Sequence, residues 1–264
     1  MSIRLVALAL GYTFLYVPLA SVVIYSFNAS RLVTVWGGFS LHWYGALAAN
    51  EQLLAAAALS LRIATFTACC ATALGTCAAL LLVRTSSGAM RGVVAGGVAA
   101  LLVIPEVILG FGLLLTFVTL ESWCGWPAGR GALTVTIAHI TLSFAYVTVV
   151  VRSRLVTLAH VFEEAALDLG ATPARVLWTI TLPMLAPALA AGWLLAFTLS
   201  LDDLVIASFA AGPGSTTLPM VIYSSVRLGV SPQINALATL MVGFVTLGIV
   251  GATWLMTRHE RRAR

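Results

Sequence analysis

Apolar residues fill long blocks of this chain, and short polar stretches separate the blocks. The blocks cover residues 5–27, 54–83, 92–120, 132–151, 186–211 and 234–256. Each block reaches the roughly 20 residues that an α-helix needs to cross a hydrocarbon layer. The pattern therefore predicts an all-α integral membrane protein with six transmembrane helices, in a single transmembrane domain over residues 1–264.

The composition supports a membrane location. Hydrophobic residues make up 61% of the chain and charged residues 9%, a balance that a soluble domain does not have. The segment 5–27 is longer than a signal-peptide core and has no cleavage site after it, so we expect a retained span. The basic tail at 258–264 follows a span, and this placement favours membrane lipid as a contact and excludes nucleic acid as a partner. The cysteine spacing predicts neither a metal site nor a disulfide.

The arginines outside the spans are distributed unevenly. Ten lie at the two ends of the chain and in the connections 84–91 and 152–185, whereas three lie in the other connections. Positive charge collects on the cytoplasmic side of membrane proteins. The count therefore predicts that both termini and the segment 152–185 are cytoplasmic.

The segment 152–185, here called the docking loop, is amphipathic rather than apolar. Apolar residues recur at helical spacing in 160–169, and Gly170 permits the left-handed backbone that ends a helix. Thr172 and Pro173 suit the N-cap and first position of a second helix, which we expect to end near residues 182–183. Two short helices hinged by glycine outside the membrane predict a surface that binds another protein.

The docking loop resembles the EAA loop of ABC-importer permeases. That loop reads Glu-Ala-Ala, three residues, Gly, nine residues, Ile, one residue and Leu-Pro, and every fixed position and both spacings occur here. The resemblance implies a coupling helix that fits a cleft of a cytoplasmic ATPase subunit. The residues that it assigns to this coupling are Glu164, Ala165, Ala166, Asp168, Gly170, Ala171, Pro173, Ile180, Leu182 and Pro183.

Four charged residues fall inside the predicted spans: Arg62, Glu106, Asp202 and Asp203. Each costs about 2.5–3.5 kcal/mol at the centre of a bilayer, so such residues usually face a polar cavity or pair with one another. Three acids around a cavity favour a cationic substrate, and we expect them to line its path. Two alternatives stay open: Arg62 neutralises one acid, or one aspartate caps a broken helix.

Other polar and aromatic residues of the spans receive structural interpretations. His139 is expected to be a hydrogen-bonded core histidine rather than a ligand or proton relay. Trp193, Phe197 and Tyr223 are expected to pack against neighbouring helices, although aromatic faces also attract organic cations.

Nearly the whole chain is similar to the permeases of bacterial putrescine importers, and residues 200–242 are the most specific part. The resemblance implies a type I ABC-importer permease fold in the bacterial inner membrane. It also implies a homologous second permease, a cytoplasmic ATPase dimer that binds ATP-Mg, and a periplasmic polyamine-binding protein. Family members carry acids at the positions of Glu106, Asp202 and Asp203. Glutamate at 106, where aspartate is also common, leaves the choice between putrescine and spermidine open.

The chain is expected to be a non-catalytic subunit. It has no Gly-x-x-x-x-Gly-Lys sequence and no lysine at all, so we expect it to bind no nucleotide or other cofactor. An ABC importer with a different small solute as cargo is an alternative. An ion-coupled secondary transporter is another, and it explains the acids but not the docking loop. A scaffold without transport activity leaves the acids unexplained.

Overall fold

The computed structural model describes residues 3–32, 35–158, 161–228, 232–243 and 246–247. The described residues are mostly helical, and they form two compact units. One unit comprises residues 1–55 together with 222–264, and the other comprises residues 56–221.

Eleven helices are delimited in the described part of the chain. They are α1 (Ile3–Tyr25), α2 (His42–Ala48), α3 (Glu51–Arg84), α4 (Gly88–Val103), α5 (Glu106–Cys124), α6 (Ala132–Thr157), α7 (Val161–Asp168), α8 (Pro173–Val176), α9 (Leu182–Asp202), α10 (Val205–Ala210) and α11 (Leu218–Leu228). A π-helical turn, Leu177–Thr181, joins α8 to α9. Residues 232–243 are also helical, and much of the predicted span 234–256 lies outside the described residues.

Five helical stretches of the described residues are long and apolar enough to cross a membrane, and α4 is a shorter apolar helix. These stretches confirm the prediction of an all-α protein with multiple spans. Four begin or end within a few residues of the predicted spans, and the fifth runs from Pro173 to Asp202.

The predicted spans 92–120 and 186–211 are each divided into two helices. The first is broken at Ile104 and Pro105, which both have extended backbone, because the residue before a proline disfavours helical dihedral angles. The second is broken at Asp203, whose ψ is 126°. An aspartate side chain can replace helical hydrogen bonds by accepting from nearby amides, and Asp203 does so at the start of α10.

The core of the unit 56–221 lies around α6. Val147 of α6 is fully buried, and glycines of two other helices face it. A methyl group added at Gly75 of α3 would lie 2.8 Å from Val147 Cγ1, and one added at Gly192 of α9 would lie 3.2 Å from the same atom. Small residues let helices in a membrane approach closely. Small residues of α3 are accordingly buried along one face of the helix from Ala64 onward.

Two apolar clusters extend from this centre. One joins α3, α5, α6 and α10, and its buried members are Ile63, Phe117, Val135, Ala138, Leu142, Ile206, Ala207 and Ala210. The other joins α3, α6 and α9, and its buried members are Ala68, Ala71, Ala79, Val147, Val151, Leu155, Leu185 and Ala196. Since α6 contributes to both clusters, it is the helix around which this unit is packed.

In the other unit, the connection between α1 and α3 folds around Asn28. The Asn28 side chain accepts hydrogen bonds from the amides of Gly37 (2.7 Å) and Ser30 (3.2 Å) and donates one to the Val35 carbonyl (2.7 Å). Trp43 Nε1 donates to the Asn28 carbonyl at 2.7 Å. The short helix α2 begins at His42 and buries Trp43 against this connection.

Candidate functional site

The docking loop has the helix–turn–helix form that the sequence predicts. Gly170 has a φ of +84°, a backbone conformation that side chains disfavour. The Ala171 amide donates to the Ala166 carbonyl and the Gly170 amide to the Leu167 carbonyl, which is the Schellman arrangement at the end of a helix. Thr172 caps the next helix, because its hydroxyl oxygen accepts from the Arg175 amide.

The second helix of the docking loop does not end near Leu182 and Pro183, as the sequence suggested. It continues through the π-helical turn Leu177–Thr181 directly into α9. Proline in a helix removes an amide and crowds the carbonyl one turn earlier, and a wider turn relieves this crowding. The docking loop is thus joined to a spanning helix without a flexible connection.

The outer surface of the docking loop is rich in uncovered apolar side chains. Leu169 is 90% exposed, Trp178 69% and Phe162 58%. An open apolar depression lies between α7 and the start of α9, lined by Phe162, Thr179, Ile180, Pro183 and Met184. Exposed apolar patches of this kind are typical of protein interfaces.

The predicted coupling residues lie on this surface or just beneath it. The exposed ones are Glu164, Ala165, Asp168, Gly170, Pro173 and Pro183, and the half-buried ones are Ala166, Ala171, Ile180 and Leu182. The structure therefore brings the motif residues together on a single small helical elbow, and two of them, Ile180 and Pro183, line the depression.

A polar contact that sequence reasoning missed ties the docking loop to α3. Glu163 Oε1 accepts from Arg84 Nη2 at 2.6 Å and from the Thr181 hydroxyl at 2.6 Å, and Arg84 Nη2 lies 3.1 Å from Thr181 Oγ1. We call these three residues the Glu163 joint. The signals were a second acid beside the motif and an arginine at the end of a span, but nothing in the sequence pairs residues so far apart. The joint also places the connections 84–91 and 152–185 at the same end of this unit.

Asp203 is bound within the helix bundle and is not open. His139 Nε2 lies 3.0 Å from Asp203 Oδ2 and His139 Nδ1 lies 2.7 Å from Ser200 Oγ. Asp203 Oδ2 also accepts from the Ala207 amide at 2.7 Å, and Oδ1 accepts from the Ile206 amide at 3.3 Å. The expectation of a hydrogen-bonded core histidine is confirmed, since His139 is 3% exposed. Of the two sequence alternatives for Asp203, the geometry supports the capping one.

Asp202 and Glu106 have different surroundings from Asp203. Both are exposed, and neither has an ion-pair partner among the described residues. Glu106 is in the first turn of α5, where the partial positive charge of a helix N-terminus favours a carboxylate.

The contact between α5 and α10 determines where the two open acids, Glu106 and Asp202, lie in this unit. Gly110 of α5 faces Ile206 and Phe209 of α10, and a methyl group at Gly110 would lie 2.7 Å from the Phe209 ring. Glu106 precedes Gly110 by one helical turn, and Asp202 precedes Ile206 by the same number of residues. The structure thus brings the two helix breaks, each with one open acid, to the same region of the unit.

The remaining candidates have structural roles or no partner. Trp193 and Phe197 stack at 5.3 Å between ring centroids, and Trp193 Nε1 donates to Cys69 Sγ at 3.3 Å, as expected for packing residues. The Arg227 guanidinium lies 5.2 Å from the Tyr223 ring centroid. Arg62 is exposed and has no ion-pair partner in the part of the chain that the structure describes, so the alternative in which Arg62 neutralises an acid is not seen.

The fold and these sites define a class of protein: a multi-pass membrane protein with an exposed helical elbow and acids at helix breaks. A family model described as "binding-protein-dependent transport system inner membrane component" matches residues 71–264. The chain belongs to this family, and the resemblance to ABC-importer permeases is confirmed. It is a non-catalytic transport subunit that spans the membrane several times.

Individual relatives agree with the family. The chain is 57% identical over 263 residues to the putrescine transport system permease protein PotI of Escherichia coli (strain K12), covering 98% of this chain and 92% of the relative. It is 39% identical over 253 residues to the spermidine/putrescine transport system permease protein PotC of the same organism, covering 95% and 92%. A solved bacterial ABC transporter that imports the acidic polysaccharide alginate has the same fold, with a TM-score of 0.73 at 19% identity over 97% of this chain and 94% of that chain.

Proposed function

We propose that this chain is the transmembrane permease subunit of an ATP-driven ABC importer for putrescine or a related polyamine in the bacterial inner membrane. The observation that carries the proposal is the 57% identity to the putrescine permease over 98% of the chain. The exposed elbow of the docking loop supports it, because an importer that uses ATP needs a surface for its ATPase.

The open acids supply the chemistry for a cationic cargo. A diamine carries a positive charge at each end at neutral pH, and Glu106 and Asp202 offer two separate carboxylates. Both acids follow or precede a break in a spanning helix, which is where transporters commonly place substrate sites. We propose that Glu106 and Asp202 line the substrate path and that Asp203 shapes it without facing the cargo.

The proposed partners follow from the same family. A homologous second permease completes the path, and a periplasmic binding protein delivers the polyamine. Two cytoplasmic ATPase subunits, which bind ATP-Mg, receive the docking loop, and lipid surrounds the spans. This chain itself is proposed to bind no cofactor and no nucleic acid.

The proposed cycle is alternating access. ATP closes the ATPase dimer, and the docking loop carries this motion to α9 through the continuous helix at Leu177–Thr181. The path then opens outward to take the diamine, and hydrolysis returns it to an inward-open state. Gly170 sets the angle of the elbow that receives the motion.

Spermidine is the second candidate cargo, because the spermidine/putrescine permease is also 39% identical over most of the chain. Spermidine carries one more amine than putrescine, so it would engage an additional acceptor along the path. An ion-coupled transporter with proton or sodium sites at Glu106 and Asp202 is the remaining alternative, and it predicts transport without an ATPase.

The test is ATP-dependent uptake in proteoliposomes that contain this chain with its partner permease, ATPase and binding protein. Labelled putrescine is offered with unlabelled putrescine, spermidine or an amino acid as competitor. We expect uptake that requires ATP and is inhibited by polyamines but not by the amino acid. Uptake driven by an ion gradient in liposomes that contain the chain alone would contradict the proposal.

A further inference from the structure

The Glu163 joint connects parts of the protein that the coupling motif does not include. Glu163 lies in the first turn of α7, Arg84 in the last turn of α3, and Thr181 where the π-helical turn meets α9. One carboxylate oxygen accepts both short hydrogen bonds. The charges also suit their helix ends, since acids stabilise helix N-termini and bases stabilise helix C-termini.

The two neighbouring glutamates of α7 point in different directions. Glu164, the acid of the motif, is exposed, whereas the Glu163 side chain is 20% exposed and meets Thr181, which is 1% exposed. Glu164 is therefore available to a partner protein, and Glu163 is directed toward the helix bundle.

Apolar burial contributes little to holding α7 in place. The helix has eight residues, none of them buried, and a helix of this length is marginal on its own. Among the described residues, the polar contacts of Glu163 therefore help to hold α7 in place. A charge-assisted hydrogen bond to a buried hydroxyl restricts orientation more strongly than an exposed apolar contact does.

The partner helix α3 is a long rod that is fixed at a second point. It has 34 residues without interruption, a length of about 51 Å that exceeds the roughly 30 Å of a hydrocarbon core. About 36 Å from Arg84, Ser60 of the same helix accepts a buried hydrogen bond from the Leu218 amide at 2.8 Å. A displacement of α3 at Arg84 therefore reaches the opposite end of the unit.

From these contacts we infer that Glu163 is a positioning residue that makes α3 move together with the docking loop during transport. The inference rests on the proposed function of the chain as an ATP-driven permease. Motion of the elbow then follows two routes: one through the continuous backbone into α9, and one through Glu163 and Arg84 into α3. The second route ties the contact at Leu218 to the state of the ATPase.

The experiment uses the complete importer in proteoliposomes and measures putrescine taken up per ATP hydrolysed. Glu163→Gln and Arg84→Gln each remove one charge of the joint, and Thr181→Val removes its hydroxyl. Glu51→Gln and Arg91→Gln make the same charge changes at exposed positions without an ion-pair partner among the described residues. Because a partly exposed ion pair contributes modestly, we expect the ratio to fall about two- to fivefold in the joint variants.

The double variant Arg84→Glu with Glu163→Arg, called the reversed pair, distinguishes two explanations. Either the two residues act as an ion pair, or each position is sensitive to substitution for a separate reason. The reversed pair restores the opposite charges, so the uptake per ATP is expected to return most of the way to the wild-type ratio. ATPase bound to the complex is expected to be unchanged in every variant, because Glu163 faces away from the docking surface.

Three results would overturn the inference. These are a wild-type ratio in the single variants, a reversed pair no better than the singles, or loss of bound ATPase that accounts for the lower uptake. Absence of ATP-dependent uptake by the wild-type importer would instead contradict the proposed function, and the inference with it. Wild-type uptake with unaffected variants would contradict the inference alone.

Discussion

Asp202 and Asp203 are neighbours in the chain, but their side chains are in different environments. Asp203 accepts hydrogen bonds from two backbone amides of α10 and is hydrogen-bonded to His139, whereas Asp202 is exposed. With Asp203 ionised, His139 donates through Nε2 and the Ser200 hydroxyl donates to Nδ1, so each polar group of this buried set has a partner. Adjacent residues at a helix end project about 100° apart, which separates a structural acid from an open one.

We predict that Asp203→Ala destabilises the protein. The substitution removes the cap of α10 and leaves His139 Nε2 without its carboxylate, and a buried polar group without a partner costs about 1–3 kcal/mol. Thermal unfolding of the purified chain in detergent measures the effect. Asp202→Ala is the matched control and is expected to unfold like the wild type; equal unfolding temperatures for both variants would contradict the assignment.

Asp202, which is not expected to affect stability, is expected to affect transport. Asp202→Asn keeps the size of the side chain and removes its charge, so we predict weaker putrescine uptake with normal assembly. Loss of one exposed charge contact with a diamine corresponds to about a two- to fivefold rise in the half-saturating concentration. Uptake kinetics in proteoliposomes measure it, with Glu51→Gln as the control. Unchanged kinetics would place Asp202 outside the substrate path.

Single residues were predictable where local chemistry decides their role. The core role of His139 and the turn at Gly170 follow from residue type and immediate sequence. The partner of Asp203 was open, because capping and path lining both suit an acid inside a span. The Glu163 joint was not predictable, since it depends on which helix ends meet in three dimensions.

Among the helices, the elbow of the docking loop depends on the conformation of one glycine. At the φ of +84° found for Gly170, a β-carbon costs about 1–2 kcal/mol. We predict that Gly170→Ala lowers uptake per ATP, because relief of the strain changes the angle between α7 and α8. Gly170→Asn is the control, since asparagine tolerates this conformation, and it should retain most of the activity. Equal uptake per ATP in the two variants would show that the angle does not matter.

The close approach of α3 to α6 leads to a second prediction for the helices. A methyl group at Gly75 meets Val147 at 2.8 Å, and overpacking a tight core costs about 1–3 kcal/mol. Gly75→Ala is therefore expected to lower the unfolding temperature of the chain in detergent. Gly96→Ala on α4, where nothing lies within 4 Å, should leave the temperature unchanged or raise it. A stable Gly75→Ala variant would mean that α3 can move away from α6.

Helix positions were predicted better than helix continuity. Long apolar blocks define where spans lie, and a proline inside such a block, like Pro105, is typical of a helix interruption. The break at Asp203 and the continuous helix across Pro183 depend on competition between side-chain and backbone hydrogen bonds, which hydropathy does not record. The break at Asp203, which the sequence left open as one alternative, divides the span that carries both aspartates.

For the whole molecule, the arginine distribution still predicts which side of the membrane each connection occupies. In a chain whose own cysteines are replaced, Leu169→Cys on the docking loop should react with a membrane-impermeant maleimide only in inverted vesicles. Ala128→Cys, in the exposed connection between α5 and α6, should react only in intact spheroplasts. The opposite labelling pattern would reverse the orientation and remove the docking loop from the side that contains ATP.

The helical membrane architecture of the chain was largely predictable from its sequence. The side-chain contacts between its helices were not. Composition indicates a bilayer, and the motif predicts a partner protein at the elbow. Which small residues meet which large ones depends on helix rotation, and a single sequence does not specify that rotation.

The packing around Val147 limits which substitutions this region tolerates. Two glycines from separate helices contact this one side chain, so the total side-chain volume at the three positions is limited. A gain at residue 75 or 192 has to be matched by a loss at residue 147. Natural chains with this fold are therefore expected to alter these positions in compensating pairs, and seldom one at a time.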